Sequence, residues 1–107
     1  MKVDAAEVLT KFRYWHLLEA EMVSLVIDRK PGVYLIKRDE RVVYAGRSDT
    51  DVMSRLMRQC STFVGCHFSV LYVKNKLKRA RSEYSLIGHL RKVGPLDNKV
   101  NASIPYR

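Results

Sequence analysis

The sequence predicts a small α/β (α+β) domain in which a three-stranded, mainly antiparallel sheet is flanked by helices. The chain has 107 residues, of which 47% are hydrophobic and 29% charged, which suits one soluble globular domain with a real core. Two short runs rich in β-branched and aromatic residues, separated by a polar turn, indicate a β-hairpin. Apolar residues at spacings of three and four on both sides of this hairpin indicate helices.

The first half of the chain predicts a helical segment followed by the hairpin. Over residues 3–27 the apolar positions follow helical spacing, which is typical of one amphipathic helix or of two short ones. Pro31 and Gly32 end this pattern. The hairpin strands are then predicted at 32–37 and 42–46, with the polar turn at 38–41 between them.

The second half of the chain predicts a helix, a strand and a longer helix. Ser48 followed by Asp51 resembles a capping box that opens a helix running to about Cys60, with Val52 and Leu56 facing the core. A third strand is predicted at 67–74 and a helix at 76–93, which Gly94-Pro95 ends. The expected organisation is a helical N-terminal extension at 1–28, followed by one domain at 29–107.

The charge of the chain is unevenly distributed. The formal net charge is +9, yet residues 1–51 carry equal numbers of acidic and basic side chains, so the whole excess lies in residues 52–107. Such a one-sided basic excess favours a polyanionic partner, which is nucleic acid or an anionic membrane surface. Of the two we expect nucleic acid.

Other classes of protein are excluded by what the sequence lacks. No apolar stretch approaches the roughly 20 residues of a membrane span, and the N-terminus lacks the layout of a signal peptide, so we expect a cytoplasmic protein with no membrane partner. Cys60 and Cys66, with only His67 beside them, supply neither a disulfide scaffold nor a four-ligand zinc site. They are expected to be ordinary reduced thiols.

One carboxylate stands out in the basic half. Glu83 is the only acid between Asp51 and Asp97, and it follows a run of lysines and arginines. A carboxylate in a phosphate-binding face weakens polyanion binding unless it holds a cation, and a single carboxylate suits Mg²⁺ or Mn²⁺. The alternative is a helical salt bridge between Glu83 and Arg79, worth about 0.3–0.5 kcal/mol.

The hairpin contains two tyrosines, each two residues from a glycine, and three further features follow in a fixed order. These five features are Gly32-Val33-Tyr34, Tyr44-Ala45-Gly46, Arg55-Leu56, Glu83 ahead of Leu86-Ile87, and Pro95 three residues before Asn98. This ordered set, which spans residues 32 to about 101, resembles the GIY-YIG nuclease family.

The resemblance implies a divalent-metal-dependent endonuclease that hydrolyses DNA phosphodiesters. Tyr34 would be the general base or would position water, with Tyr44 as its partner across the hairpin. Arg55 would bind phosphate, Glu83 would bind Mg²⁺ or Mn²⁺, and Asn98 would support the metal side, with Asn101 as the competing asparagine. Further phosphate contacts are expected from the basic side chains of Arg47, Lys37, Arg58, Lys76, Lys78, Arg79 and Arg81.

DNA is the expected partner, and RNA remains an alternative. Because little chain is left for a specificity domain, selectivity would be weak, directed at DNA structure, or supplied by homodimerisation or a separate partner. Gln59 stands where many members carry histidine or tyrosine, and an amide cannot act as a general base. This favours a second hypothesis, a catalytically inactive nucleic-acid-binding module with the same fold. A third is an interaction protein whose basic helix docks on an acidic partner.

Overall fold

A computed structural model, which describes residues 3–98, shows a four-stranded antiparallel sheet with helices on both faces. The strands are ordered β1-β4-β2-β3. The α+β class is confirmed, whereas the prediction of three strands is wrong. The elements are α1 (Ala5–Leu9), β1 (His16–Leu17), α2 (Ala20–Val26), β2 (Gly32–Arg38), β3 (Arg41–Ser48), α3 (Val52–Gln59), β4 (His67–Tyr72) and α4 (Lys76–Val93).

The additional strand lies inside the segment with helical spacing. His16 pairs with Phe68 and Leu17 pairs with His67, so β1 forms an edge of the sheet. Residues 3–27 therefore contain two short helices separated by a strand. A segment predicted as an extension thus supplies part of the same sheet as the hairpin.

The sheet separates two hydrophobic clusters. Along β2, Tyr34 and Ile36 belong to the cluster that includes residues of α2 and α3, whereas Val33 and Leu35 belong to the cluster with α1 and α4. This alternation follows from the two-residue period of a strand. β2 is thus buried on both faces, and it places Tyr34 in the core, where Tyr44 of β3 packs against it.

Helix α3 begins at Val52, and its N-cap is Asp51 rather than Ser48, the first residue of the predicted capping box. Asp51 accepts a hydrogen bond from the Ser54 amide at 3.2 Å, and the Ser48 hydroxyl accepts one from the Asp51 amide at 2.8 Å. Val52 and Leu56 are fully buried, as predicted. The outward face of α3 is left to polar side chains, which become available to a ligand.

The free edge of β3 is covered by the residues that follow α4. The Asp97 amide donates to the Val43 carbonyl at 2.6 Å. The Asn98 side chain pairs with Ala45 in both directions: its amide nitrogen donates to the carbonyl at 2.8 Å, and its oxygen accepts from the backbone amide at 3.2 Å. These bonds pair the outer edge of β3 with residues 97–98, which line the same groove as α3.

Helix α4 is the longest element and matches the predicted range of 76–93. Its N-cap is Asn75, whose side-chain oxygen accepts from the Lys78 amide at 2.8 Å.

Within residues 3–98 there is no helix with both the length and the apolar character needed to cross a bilayer.

Candidate active site

A groove of about 910 Å³ opens beside β3, the edge strand of the sheet. Its walls come from the end of β3 and the loop that follows, from α3, from α4, and from residues 97–98. It therefore gathers side chains that are distant in sequence. Those that line it and were predicted as site residues are Tyr44, Arg47, Arg55, Arg58, Glu83 and Asn98.

The two hairpin tripeptides form one packing unit. The strand register sets Tyr34 opposite Gly46 and Ile36 opposite Tyr44. The two tyrosine rings stack diagonally, with centroids 6.0 Å apart and an interplanar angle of 21°. A Cβ atom at Gly46 would lie 2.5 Å from both Cζ and Oη of Tyr34. Glycine is thus required because the Tyr34 ring crosses its backbone.

Tyr34 lies behind the groove and has no exposed surface. Burial raises the pKa of Tyr34 to about 12, and Tyr44 adds to this rise, while contacts with Gln59 and Arg55 oppose it. Gln59 Nε2 lies 3.2 Å from Tyr34 Oη. At neutral pH the phenol therefore keeps its proton, and a role as base requires a further cation to lower its pKa.

This environment predicts a late tyrosine titration. Because the folded pKa of about 12 exceeds the ordinary value of 10.0, stability from the protonated phenol is complete below about pH 10 and is lost as the pH rises towards 12. The loss is on the order of 2 kcal/mol. Ultraviolet titration should show a phenol ionising near pH 12 that Tyr34→Phe removes. If Tyr34→Phe instead removes a phenol that ionises near pH 10, Tyr34 does not have the raised pKa described here.

Glu83 belongs to a chain of ion pairs that crosses from α4 to the end of β3. Its Oε1 accepts from Arg47 at 2.7 Å, and Arg47 lies 3.4 Å from Asp49. Asp49 in turn lies 2.8 Å from Nε of Arg79. Glu83 and Arg79 therefore do not pair with each other: Glu83 pairs with Arg47 in β3, and Arg79 pairs with Asp49 just after that strand. This leaves Glu83 facing the groove with an orientation fixed by Arg47.

The surroundings of Glu83 disfavour its negative charge, so a bound cation would stabilise the carboxylate. Burial raises the pKa of Glu83, and Asp49 raises it further, so the positive charges of Arg47 and Arg55 do not fully compensate its desolvation. Within residues 3–98, no group of three or more His, Cys, Asp or Glu side chains could hold a metal ion. In this part of the chain, Glu83 is thus a single carboxylate without further protein ligands of these types in a cluster. Mg²⁺ and Mn²⁺ are the ions that suit a single carboxylate, because they take their remaining ligands from water and phosphate.

The outer face of α3 brings two arginines into the groove, one helical turn apart. Partial burial acts to lower the pKa of Arg55, but interactions with Tyr34, Tyr44 and Glu83 outweigh this and raise it. Arg58 is exposed and lines the same wall. The two guanidinium groups offer charge and multiple donors to a phosphate.

Some predicted phosphate binders lie elsewhere. The Lys37 ammonium lies 4.4 Å from the centroid of the Trp15 ring, in a cation–π contact away from the groove lining. Arg79 is only 3% exposed and donates to the carbonyls of Val73 and Lys74 at 2.8 and 3.2 Å. Arg79 therefore joins α4 to the loop before it and cannot reach a phosphate without losing these bonds.

Lys76, Lys78 and Arg81 also lie outside the groove lining. Asp49, which sequence reasoning missed, lies in it and links two arginines. Its spacing of two residues from Arg47 is a signal, since side chains two apart in extended chain point the same way. Asn98 lines the groove and fixes the chain to β3, whereas the competing Asn101 lies outside the described residues.

Comparison of the chain with protein-family models, with curated proteins and with solved structures finds no match.

Proposed function

We propose that the chain is a divalent-metal-dependent endonuclease that hydrolyses DNA phosphodiester bonds, with weak sequence selectivity or with selectivity for DNA structure. The observation that carries this proposal is the convergence of Glu83, Arg55 and Tyr44 in one groove, from three separate elements. Phosphodiester hydrolysis requires a positioned water, stabilisation of the developing negative charge and assistance to the leaving oxygen. The groove offers groups for each task.

Substrate binding is assigned to the arginines. Arg55 keeps its charge beside the two tyrosines, and its planar guanidinium can bind two oxygens of one phosphate. Arg58, one turn further along α3, provides a contact for a neighbouring phosphate. Because Arg55 also faces Glu83, it can stabilise charge that develops on the phosphate during cleavage.

The metal would be held by Glu83. A bound Mg²⁺ or Mn²⁺ supplies polarisation of the phosphoryl oxygen and activation of water. Arg47 orients the carboxylate through its 2.7 Å contact, and Asp49 fixes Arg47 from the other side at 3.4 Å. Such outer contacts hold a ligand in the orientation that metal binding needs.

The tyrosines have separate tasks. Tyr44 lines the groove and can form hydrogen bonds to water or to a phosphate oxygen. Tyr34, which is buried behind it, supports Tyr44 by stacking and contacts Gln59 at 3.2 Å. In this proposal Tyr34 acts as base only when a cation near the groove lowers its pKa, and otherwise it positions the groups in front of it.

A nicking assay tests the proposal. Supercoiled plasmid, branched DNA and a matched RNA are incubated with the protein in Mg²⁺, in Mn²⁺, or with a chelator. Nicked DNA should form only with metal. If none of the substrates is cut in either metal while DNA is bound in a salt-sensitive manner, the nuclease proposal fails. The inactive binding module, which Gln59 favours, then takes its place.

A further inference from the structure

A second depression, of about 250 Å³, lies on another face of α4. It is formed where α1 packs beside the start of α4 and the end of β4. Its apolar lining includes Val8 and Val73, and three exposed lysines, Lys11, Lys74 and Lys78, surround it. We name these three side chains the lysine pocket.

The lysine pocket carries uncompensated positive charge. Its lining contains no acidic side chain, and within residues 3–98 none of its three ammonium groups takes part in an ion pair. Glu7, which lies four residues before Lys11, makes no ion pair with it either. Like charges that share a depression repel each other, and an anion bound there removes that repulsion.

The first turn of α4 points to the same conclusion. It contains Lys76 and Lys78 and no acidic residue. The N-terminus of a helix carries partial positive charge, so cations there disfavour the helix, whereas acids would stabilise it. The lysines of this turn therefore lower the stability of the helix, and an anion bound next to them would offset that loss.

The position of the pocket indicates which anion binds. Lys78 and Ser82 line it, while Glu83 and Ile87 line the groove. At about 100° per residue these two pairs lie about 140° apart around the helix, so the two sites flank α4 on opposite sides. A helix with its side chains is about 10–12 Å across. Along the axis of a duplex each strand has one phosphate about every 3.4 Å, so DNA that crosses a helix of this width extends about three or four base pairs beyond the groove.

We propose that the lysine pocket binds backbone phosphates of the DNA that flanks the groove, and so holds an arm of the substrate outside the site of cleavage. The identity of the ligand rests on the proposed function, but binding at the pocket requires neither metal nor cleavage. A phosphate backbone fits better than a flat lipid surface, because the lysines surround a concave site that only the width of α4 separates from the groove.

Charge reversal at two positions of the same helix tests this proposal. Lys78→Glu changes the lysine pocket, and Lys92→Glu makes the same change at the exposed far end of α4, about 21 Å away. Binding of a fluorescein-labelled duplex is measured by anisotropy with a chelator present, over about 50–200 mM salt. Lys78→Glu should weaken binding at least about fivefold more than Lys92→Glu, and Lys11→Gln/Lys74→Gln/Lys78→Gln should lower the salt slope by about 2–3.

Stability separates this effect from a folding defect. Glutamate at 78 stands in the first turn after the Asn75 cap, so the melting temperature of Lys78→Glu should be unchanged or about 1–5 °C higher. Equal weakening by Lys78→Glu and Lys92→Glu, or no weakening by either, overturns the proposal. So does a loss of binding to phosphatidylserine vesicles without a loss of DNA binding. A protein that binds DNA through the pocket but never cuts it contradicts only the proposed nuclease function.

Discussion

Replacing Glu83 with glutamine should lower the rate of metal-dependent plasmid nicking by at least about 100-fold. Glutamine keeps the size of the side chain and an oxygen that Arg47 can contact, but it lacks the charge that holds a divalent cation. The loss should appear in the single-turnover rate at saturating DNA, since Arg55 and Arg58 still bind the phosphates.

The matched control is Glu40→Gln, which removes the same charge from the exposed hairpin turn. It should leave the nicking rate unchanged. Burial raises the pKa of Glu83 more than Arg47 and Arg55 lower it, so the surroundings of this side chain favour its uncharged form, and the stability associated with that form is lost as the pH rises. Glu83→Gln should therefore melt at the same temperature as the parent or higher. Equal nicking rates for the Glu83 and Glu40 variants would remove Glu83 from the reaction.

Gly46→Ala should reduce the free energy of unfolding by about 1–3 kcal/mol. The new methyl group would lie 2.5 Å from two atoms of the Tyr34 ring, which is fully buried and cannot move aside without disturbing the core. Urea denaturation measures the loss. Tyr34→Leu in the same chain should make the second substitution less costly, because it removes the ring atoms that the methyl group meets.

The control for this prediction is Gly88→Ala. Gly88 lies within α4, and a Cβ atom there would meet no atom within 4 Å. Alanine should therefore stabilise the protein by about 0.5–1 kcal/mol through helix propensity. A Gly46→Ala variant as stable as the parent would show that the hairpin tyrosine does not cross the glycine as described.

Local sequence patterns predicted most of the fold. The hairpin and α4 follow from strand and helix periods that are long enough to be distinctive. The strand at His16–Leu17 could not be predicted in this way, because a two-residue strand has no period of its own and lies among apolar residues at helical spacing. Its pairing with Phe68 and His67 is a tertiary contact that no local pattern encodes.

Motif order predicted which side chains lie together in the groove better than charge alone did. Tyr44, Arg55 and Glu83 share the groove as their motifs implied. The direction of a basic side chain, by contrast, depends on what its helix or strand packs against. For this reason Lys37 contacts a tryptophan ring and Arg79 is buried against backbone carbonyls. Counting charges along the sequence does not distinguish these two side chains from the arginines that line the groove.

The central point of the proposed function is that Glu83 binds a divalent cation in the groove. Electron paramagnetic resonance of free Mn²⁺ measures this without any need for cleavage, when Mn²⁺ is titrated into the parent, Glu83→Gln and Glu40→Gln in the presence of a phosphorothioate duplex that resists hydrolysis. The parent and Glu40→Gln should remove Mn²⁺ from solution equally, and Glu83→Gln should remove at least about tenfold less at the same concentration. Equal binding by all three proteins would show that Glu83 does not hold the metal.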